Sequence, residues 1–439
     1  MHWAWWYIYP ARGSVSATVT RFLAPSPQTP NKKHVCFVSE ASVLQGKKAR
    51  FVKMKTIVIL GVGVAAAPLI RQTMRNVVLK DKDYNLIVVA PTTHFHWPIA
   101  MPRVIVPGQL SEDKAMIDLR PIFKEYPSDQ FEFVLGAASA LDPAGNTVAV
   151  SLNDGGSRTI NYHTLVVATG TSSKDNMPWK AMATTEQTKQ RLRELQRQIE
   201  NAKTIAVVGG GQTGSETAGE LGFEYSKQGR KEVYFIYNDK LPLAPPLMES
   251  VRKQTKTELE KLNVKLIPNT KVTAVEYAGA DTILTLTDAE GKTTTLTTQA
   301  YIPTTGGVPN SSFVPADLLD SNGFIHQTKS LQVKGHDNIF VLGDVGSLEE
   351  CKAGVADAQA VHLIKALPIY LKGGVMPTYT PSTKVMVGIT LGRSRATGQF
   401  GSFKLFSFLI HYAKGRFLGT DYCHLIAAGK KTLMTTYEK

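Results

Sequence analysis

Two short glycine-rich segments are the residues of this chain best suited to chemistry. Gly61-Val62-Gly63-Val64-Ala65-Ala66 follows an apolar run at 56–60, and Gly209-Gly210-Gly211-Gln212-Thr213-Gly214 follows another at 204–208. At each, a strand is expected to feed a helix through a tight turn. The first glycine permits the turn, the second lets the backbone approach a pyrophosphate, and the third brings helix against strand. The helix N-terminus behind them offers unpaired N–H groups and the positive end of its dipole to an anion. Gly61, Gly63, Ala65 and Ala66, and then Gly209, Gly211 and Gly214, are the candidate phosphate-holding positions; Ala66 stands where the third glycine usually falls, a tolerated swap. A third segment, 338–344, reads as a strand delivering Gly343-Asp344 ahead of a helix at about 352–367. Asp344 is placed either to accept hydrogen bonds from a sugar-like hydroxyl or to cap the helix that follows.

The elements that must position these turns form a repeated unit. After the first turn come strands at 86–89 and 131–135, a meander turning at Asp154-Gly155-Gly156, and a strand at 165–168 that ends on Thr169-Gly170. After the second come strands at 233–237 and 264–267, a meander turning at Asp288-Ala289-Glu290-Gly291, and a strand at 301–305 that ends on Gly306. Glycine-rich turn to closing glycine is about 110 residues in the first copy and about 100 in the second. The expected fold is α/β, with two Rossmann-like dinucleotide-binding domains. The expected boundaries are 1–53 for a leader, 54–180 and 303–375 for the two parts of the first domain, 181–302 for the inserted second, and 376–439 for a C-terminal cap.

The second strands end differently in the two copies. Ala90 stands where an acid normally holds ribose hydroxyls, with Thr92 and Thr93 beside it. In the second copy the strand ends at Tyr237-Asn238-Asp239-Lys240. Asp239 or Asn238 can accept from a ribose 2′-hydroxyl, which favours NADH, while Lys240 can meet a 2′-phosphate, so NADH and NADPH both stay open.

Composition excludes several classes. With 43% hydrophobic and 20% charged residues over 439, the chain is globular rather than disordered. Its three cysteines, Cys36, Cys351 and Cys423, are too scattered for a disulfide scaffold. The longest near-apolar run, 57–70, falls short of the roughly 20 residues a membrane helix needs. Nine Lys/Arg and one acid, Glu40, precede Thr56, so this leader carries +8 of the net +14. The rest is spread over the folded body, and nucleic acid is not an expected partner. The leader lacks the charged-then-apolar order of a secretory signal; a mitochondrial presequence fits its acid-poor composition, but an extension ahead of a fold beginning at Met54 is the favoured reading. Residue 2 is His, so no glycine-2 myristoylation signal is present.

Taken in order, the first glycine turn, Ala168-Thr169-Gly170, the second glycine turn, Thr305-Gly306-Gly307-Val308-Pro309-Asn310 and Gly343-Asp344 resemble the two-dinucleotide-binding-domain flavoprotein reductases. Within them the chain is most similar to the apoptosis-inducing-factor-like, ferroptosis-suppressor-protein-like group, over about 55–439. Supporting segments are His94-Phe95-His96 and Gly392-Arg393, Gly398-Gln399 and Lys404. The resemblance implies FAD on the first copy and Gly343-Asp344, and NADH or NADPH on the second. It implies that Arg103, Thr169, Gly170, Gly306 and Asp239 serve cofactor binding, that Glu216 faces the nicotinamide–flavin contact, and that Lys352 lies near the flavin. The plainer readings are a first-turn acid for Glu216 and a solvated helix-start lysine for Lys352. No metal site is expected.

In such a scheme the flavin carries the electron chemistry, which suits the lack of a Ser/His/Asp or Cys/His constellation. Disulfide reduction would need a closely spaced cysteine pair, and none follows either glycine turn. A quinone-like acceptor fits what remains. The stretch 400–418 interleaves Phe403, Phe406, Phe408, Tyr412 and Phe417 with Lys404, Lys414 and Arg416. It reads either as a surface for lipid headgroups or as a layer capping the flavin domain. The expectation is an NAD(P)H:quinone-type oxidoreductase, monomeric or homodimeric, in the cytoplasm or peripheral on a mitochondrial or lipid-droplet membrane. The rival readings are a redox-sensing interaction protein of slow turnover and a reductase for a small iron–sulfur protein.

Overall fold

The computed structural model describes residues 54–438, so the leader lies outside the described residues. The strand Lys55–Leu60 is third in a seven-stranded sheet and central in its five-stranded parallel part. Its neighbours are Thr164–Val167 on one side and Tyr84–Ala90 on the other, with Ile339–Val341 and Phe131–Asp142 beyond them, all parallel. The unbroken apolar run is what a strand buried on both faces requires. Ile57 and Ile59 face a core shared with the helix Ala66–Asn76, while Val58 and Leu60 face a second core on the opposite side. Phe131–Asp142 runs well beyond the expected 131–135, because one strand serves both the parallel sheet and the antiparallel meander with Thr147–Leu152 and Ser157–Asn161.

The second unit repeats this plan. Thr204–Val208 is flanked by Glu232–Ile236 and Ala300–Pro303, with Lys265–Ile267 at the edge, all parallel. A separate meander, Thr270–Ala278, Asp281–Asp288 and Thr293–Thr298, covers it. Both closing strands end earlier than expected, at Val167 and Pro303, which leaves Thr169 and Thr304 free to turn. Ile339–Val341 then returns the chain to the first sheet beside Thr164–Val167. Because these strands are parallel, their carboxyl ends share one edge, the edge at which open α/β sheets bind ligands.

After the helix Ala353–Leu371, a three-stranded sheet (Met386–Leu391, Arg395–Phe400 and Phe403–Lys404) packs on the helix Gln212–Glu224 of the second unit. A Cβ on Gly219 of that helix would lie 2.9 Å from Leu391 Cα and from Gly392 N, so only glycine permits the approach. The cap also grips the first unit: Trp97 Nε1 donates to Leu418 O at 2.7 Å, and Cys423 Sγ lies 3.1 Å from Lys114 O. The capping layer read from sequence thus spans both units.

Near the chain end, Glu438 pairs with Arg71 at 2.7 Å and with Arg75, both on the first helix. The Arg71 hydrogen bond, outweighing burial, holds the Glu438 carboxyl down at about 2. A depressed carboxyl contributes stability above its unfolded value near 4.5, and that contribution disappears as pH falls from there toward 2. Glu438→Gln is expected to cost about 1 kcal/mol at pH 7 and nothing below pH 2. Denaturant melts of both proteins across that range check it; an undiminished difference at the acid end would refute the ion-pair origin.

Candidate functional site

The two glycine turns have the same construction. Gly61 (φ +108°) and Gly209 (φ +119°) adopt backbone geometry that side chains resist, and each is pressed against the closing strand of its own unit. A Cβ on Gly61 would lie 2.3 Å from Ala168 O, and one on Gly209 would lie 2.6 Å from Thr304 Oγ1. The middle glycines are the reverse. A Cβ on Gly63 or Gly211 would meet no protein atom within 4 Å. The third positions are tight again: a Cβ on Gly214 would lie 1.9 Å from Gly209 O, whereas the first unit accommodates Ala66, fully buried. Neither following helix has a side-chain N-cap or an acid in its first turn. Both elbows therefore present free backbone and a positive dipole end, and they fit a dinucleotide pyrophosphate.

The closing motifs are joined to each other. Asn310 Nδ2 donates to Thr169 O at 2.9 Å, Thr169 Oγ1 donates to Asn310 O at 2.7 Å, and Asn310 N donates to Gly170 O at 2.9 Å. Gly307–Pro309 pairs with Thr171–Ser173, while Gly170 and Gly306 both take positive φ. These segments carry the chain between the two units.

Gly343 lies at the first elbow, where a Cβ added to it would sit 3.6 Å from Ala65 Cβ. Asp344 Oδ2 accepts from Lys180 Nζ at 2.7 Å and lies 3.5 Å from Thr171 Oγ1. It does not cap the helix Ala353–Leu371, whose N-cap is Lys352. Lys180 is absent from the sequence reading, and 164 residues separate it from its partner.

Glu216 is buried, and its Oε1 accepts from Lys414 Nζ at 2.6 Å, Thr390 N at 3.0 Å and Thr390 Oγ1 at 3.1 Å. Lys414 Nζ also donates to Gly388 O at 2.7 Å. The lysine brought to Glu216 is thus Lys414, supplied by the cap. Lys352 instead pairs with its near neighbour Glu350 at 2.5 Å on the surface. Arg103 is likewise not left open to a cofactor. Its guanidinium holds Glu220 (2.8 Å) and the carbonyls of Gly415 (3.0 Å) and Arg416 (3.3 Å) inside the protein.

Just past the strand Glu232–Ile236 of the second unit, Asp239 is half exposed and pairs with Arg252 at 2.6 Å. The Lys240 N–H, with help from Arg252, holds its carboxyl below the usual range. In the first unit Ala90 is buried and provides no acceptor side chain. Thr92 Oγ1 bonds His94 O, and Thr93 Oγ1 lies 2.9 Å from His94 Nδ1, so both threonine hydroxyls have local partners.

His96 is more than nine-tenths buried, yet neither ring nitrogen has a hydrogen-bond partner. Its polar surroundings are the backbone of Pro178 and Trp179 and the Lys180 ammonium that holds Asp344. Burial, opposed by weak contacts to the Trp179 and Pro178 backbone, pushes the imidazole down to about 4, so it is neutral at pH 7. A buried ring so weakly held, beside the Asp344 pair, fits a site completed by a bound group. His96→Leu is expected to stabilise the flavin-free protein by about 1–3 kcal/mol. Melting of the stripped protein checks it, and a lower melting temperature would mean that the ring is already satisfied.

Cys351, exposed, and Cys423, buried, are unpaired, and burial raises the Cys423 thiol to about 11. Cys36 lies outside the described residues.

Comparison with known proteins agrees with this geometry. Residues 55–360 match the family described as pyridine nucleotide-disulphide oxidoreductase. Oxidoreductase ptaL of Pestalotiopsis fici is 39% identical over 363 residues, covering 81% of this chain and 94% of that protein. Human ferroptosis suppressor protein 1 is 25% identical over 353 residues, covering 77% and 88%. Among solved structures, the sulfide:quinone oxidoreductase of Aquifex aeolicus superposes with a TM-score of 0.68 at 17% identity, covering 85% of this chain and 92% of that one. The Plasmodium falciparum NDH2 complex with NADH gives 0.68 at 14% identity, covering 85% and 97%. With FAD and NAD(P)H as its cofactors, the chain belongs to the pyridine nucleotide-disulphide oxidoreductase family.

Proposed function

We propose that the protein oxidises NADH, in preference to NADPH, and passes the electrons to a quinone-like acceptor at a membrane surface. The observation that carries the reading is the pair of open elbows, one beside Asp344–Lys180 and the other leading into the helix that bears Glu216. Bound FAD supplies the capacity to accept a hydride and release electrons onward. Around it, Gly61 to Ala66 hold the pyrophosphate of FAD, Gly343 keeps the backbone close to that elbow, and Asp344, oriented by Lys180, accepts from hydroxyls of the bound group. Gly209 to Gly214 hold the pyrophosphate of the nicotinamide dinucleotide. Asp239, fixed by Arg252, accepts from the ribose 2′-hydroxyl. Glu216 marks the nicotinamide end, where the Lys414 ammonium balances its charge.

Two features favour a quinone. Among the described residues Cys351 and Cys423 are both unpaired, one exposed and one buried, so no cysteine pair is there to relay electrons. The cap segment that supplies Lys414 is also rich in aromatic side chains, which suit a flat apolar acceptor.

The experiment is anaerobic mixing of the yellow protein with NADH and with NADPH, followed by a short-chain quinone. Bleaching by NADH and rapid recovery with the quinone are expected; a colourless protein, or one that quinones leave reduced, sinks the proposal. Glu216→Gln is expected to slow bleaching by about tenfold, a loss of roughly 1.4 kcal/mol, while FAD content holds. Parallel loss of flavin would assign Glu216 to the fold instead.

A further inference from the structure

The cap contains a helical segment, Ser407–Ile410 continuing through His411–Gly415, that is apolar on both sides. Its inner side is fixed by Ile410, which fills the space above two glycines: a Cβ on Gly388 or on Gly398 would lie 2.9 Å from it. A helix docked by one face normally carries polar residues on the other. Here Phe408, Leu409 and Tyr412 are exposed, as are Phe403, Phe406 and Phe417 on either side of the helix in sequence. These six are between 45% and 76% exposed, and the Phe406 and Phe408 rings stack at 5.9 Å. Isolated exposed apolar residues need no explanation, but six within the span 403–417 do.

The segment that carries this surface has charge of one sign. Between Met376 and Thr420 there are six Lys/Arg and no Asp or Glu. Lys414, Arg393 and Arg395 face carboxylates, those of Glu216, Glu224 and Glu258. Lys384, Lys404 and Arg416 have no carboxylate partner among the described residues. Lys384 lies over the Phe400 ring at 5.8 Å, and Arg416 lies over the Phe417 ring at 4.7 Å.

We propose that this face docks on an anionic lipid bilayer, its aromatic side chains entering the headgroup–acyl boundary and its cations meeting lipid phosphates. Aromatic residues favour that boundary because it is apolar on one side and wet on the other, and each basic residue adds attraction to anionic lipid. Charge disfavours the other occupants. A second copy would bring the same cations together, and the leader 1–53, with its surplus of Lys/Arg, is itself basic. The inference deepens the membrane-side reading of the acceptor and rests on it for its purpose, because the docked segment is the one that carries Lys414 to Glu216. The docking itself is tested separately.

The test is flotation of the full-length, flavin-loaded protein with vesicles of phosphatidylcholine alone and of phosphatidylcholine with phosphatidylserine. Binding is expected to be at least about tenfold stronger to the anionic vesicles, the worth of two cations near the surface. Phe406→Ser with Phe408→Ser should abolish flotation, and Lys404→Glu with Arg416→Glu should remove the anionic preference. Flavin content and NADH oxidation with ferricyanide should be unchanged in both variants. Failure to float with either vesicle, flotation indifferent to both variants, or flotation regained only when 1–53 is deleted would overturn the proposal. Short-chain quinone reduction without vesicles reports on the acceptor independently.

Discussion

Gly211→Val should give a protein that stays yellow and folded but is no longer reduced by NADH at a useful rate. Gly211 has φ −74° and ψ −171°, extended backbone that a β-branched residue accepts, and no protein atom lies where its Cβ would go. The fold therefore has no objection to the side chain. The dinucleotide does, because the added methyls occupy the space through which the pyrophosphate reaches the helix N-terminus. Losing two charge-assisted hydrogen bonds is worth about 3 kcal/mol or more. The expected fall in kcat/KM for NADH is thus on the order of 100-fold, with melting temperature and flavin content near wild type. Gly63→Val, by the same reasoning, should yield a folded, colourless protein. Gly214→Ala supplies the contrast: its Cβ would sit 1.9 Å from Gly209 O, so the second unit itself should be destabilised. Wild-type reduction of Gly211→Val by NADH would mean that this turn holds no phosphate.

The other large effect concerns Arg103 and Glu220. Both side chains are almost fully buried, and the guanidinium clasps the carboxylate through Nε and Nη2 at 2.8 to 3.1 Å. It joins the first unit, the second-unit helix and the cap at a single point. Arg103→Leu would leave a buried carboxylate and two carbonyls without a donor, at a cost of about 3–5 kcal/mol. The double variant Arg103→Leu with Glu220→Leu should recover much of that, because an apolar pair replaces an ionic one. A double-mutant cycle from urea melts reads the coupling. If Arg103→Leu folds normally and loses only FAD, then Arg103 belongs to the cofactor, as the resemblance implied.

What could be read along the chain was whatever is local. A turn such as Gly61-Val62-Gly63 declares itself because strand, turn and helix are contiguous and each glycine answers a steric demand within that unit. The order of the two copies, the meander turns and Gly343-Asp344 follow for the same reason. The sequence-based ends of the closing strands miss by one or two residues, because hydrogen bonding to the neighbouring strand, rather than apolar content, decides where a strand stops.

What contacts between distant segments settle was hidden. The resemblance placed Lys352 near the flavin; in the fold it starts the helix Ala353–Leu371 and pairs with Glu350. Lys414, 198 residues from Glu216, carries no motif and arrives only because Gly388 and Gly398 let its helix lie flat on the cap sheet. Lys180 reaches Asp344 in the same manner, through the return of Ile339–Val341 to the first sheet. The amino-acid order determined two glycine-rich strand-to-helix turns that fit a dinucleotide, because those depend on backbone geometry over a few residues. Only the folded chain decided which cations face which carboxylates, because ion pairs form between whichever surfaces the packing brings within about 4 Å.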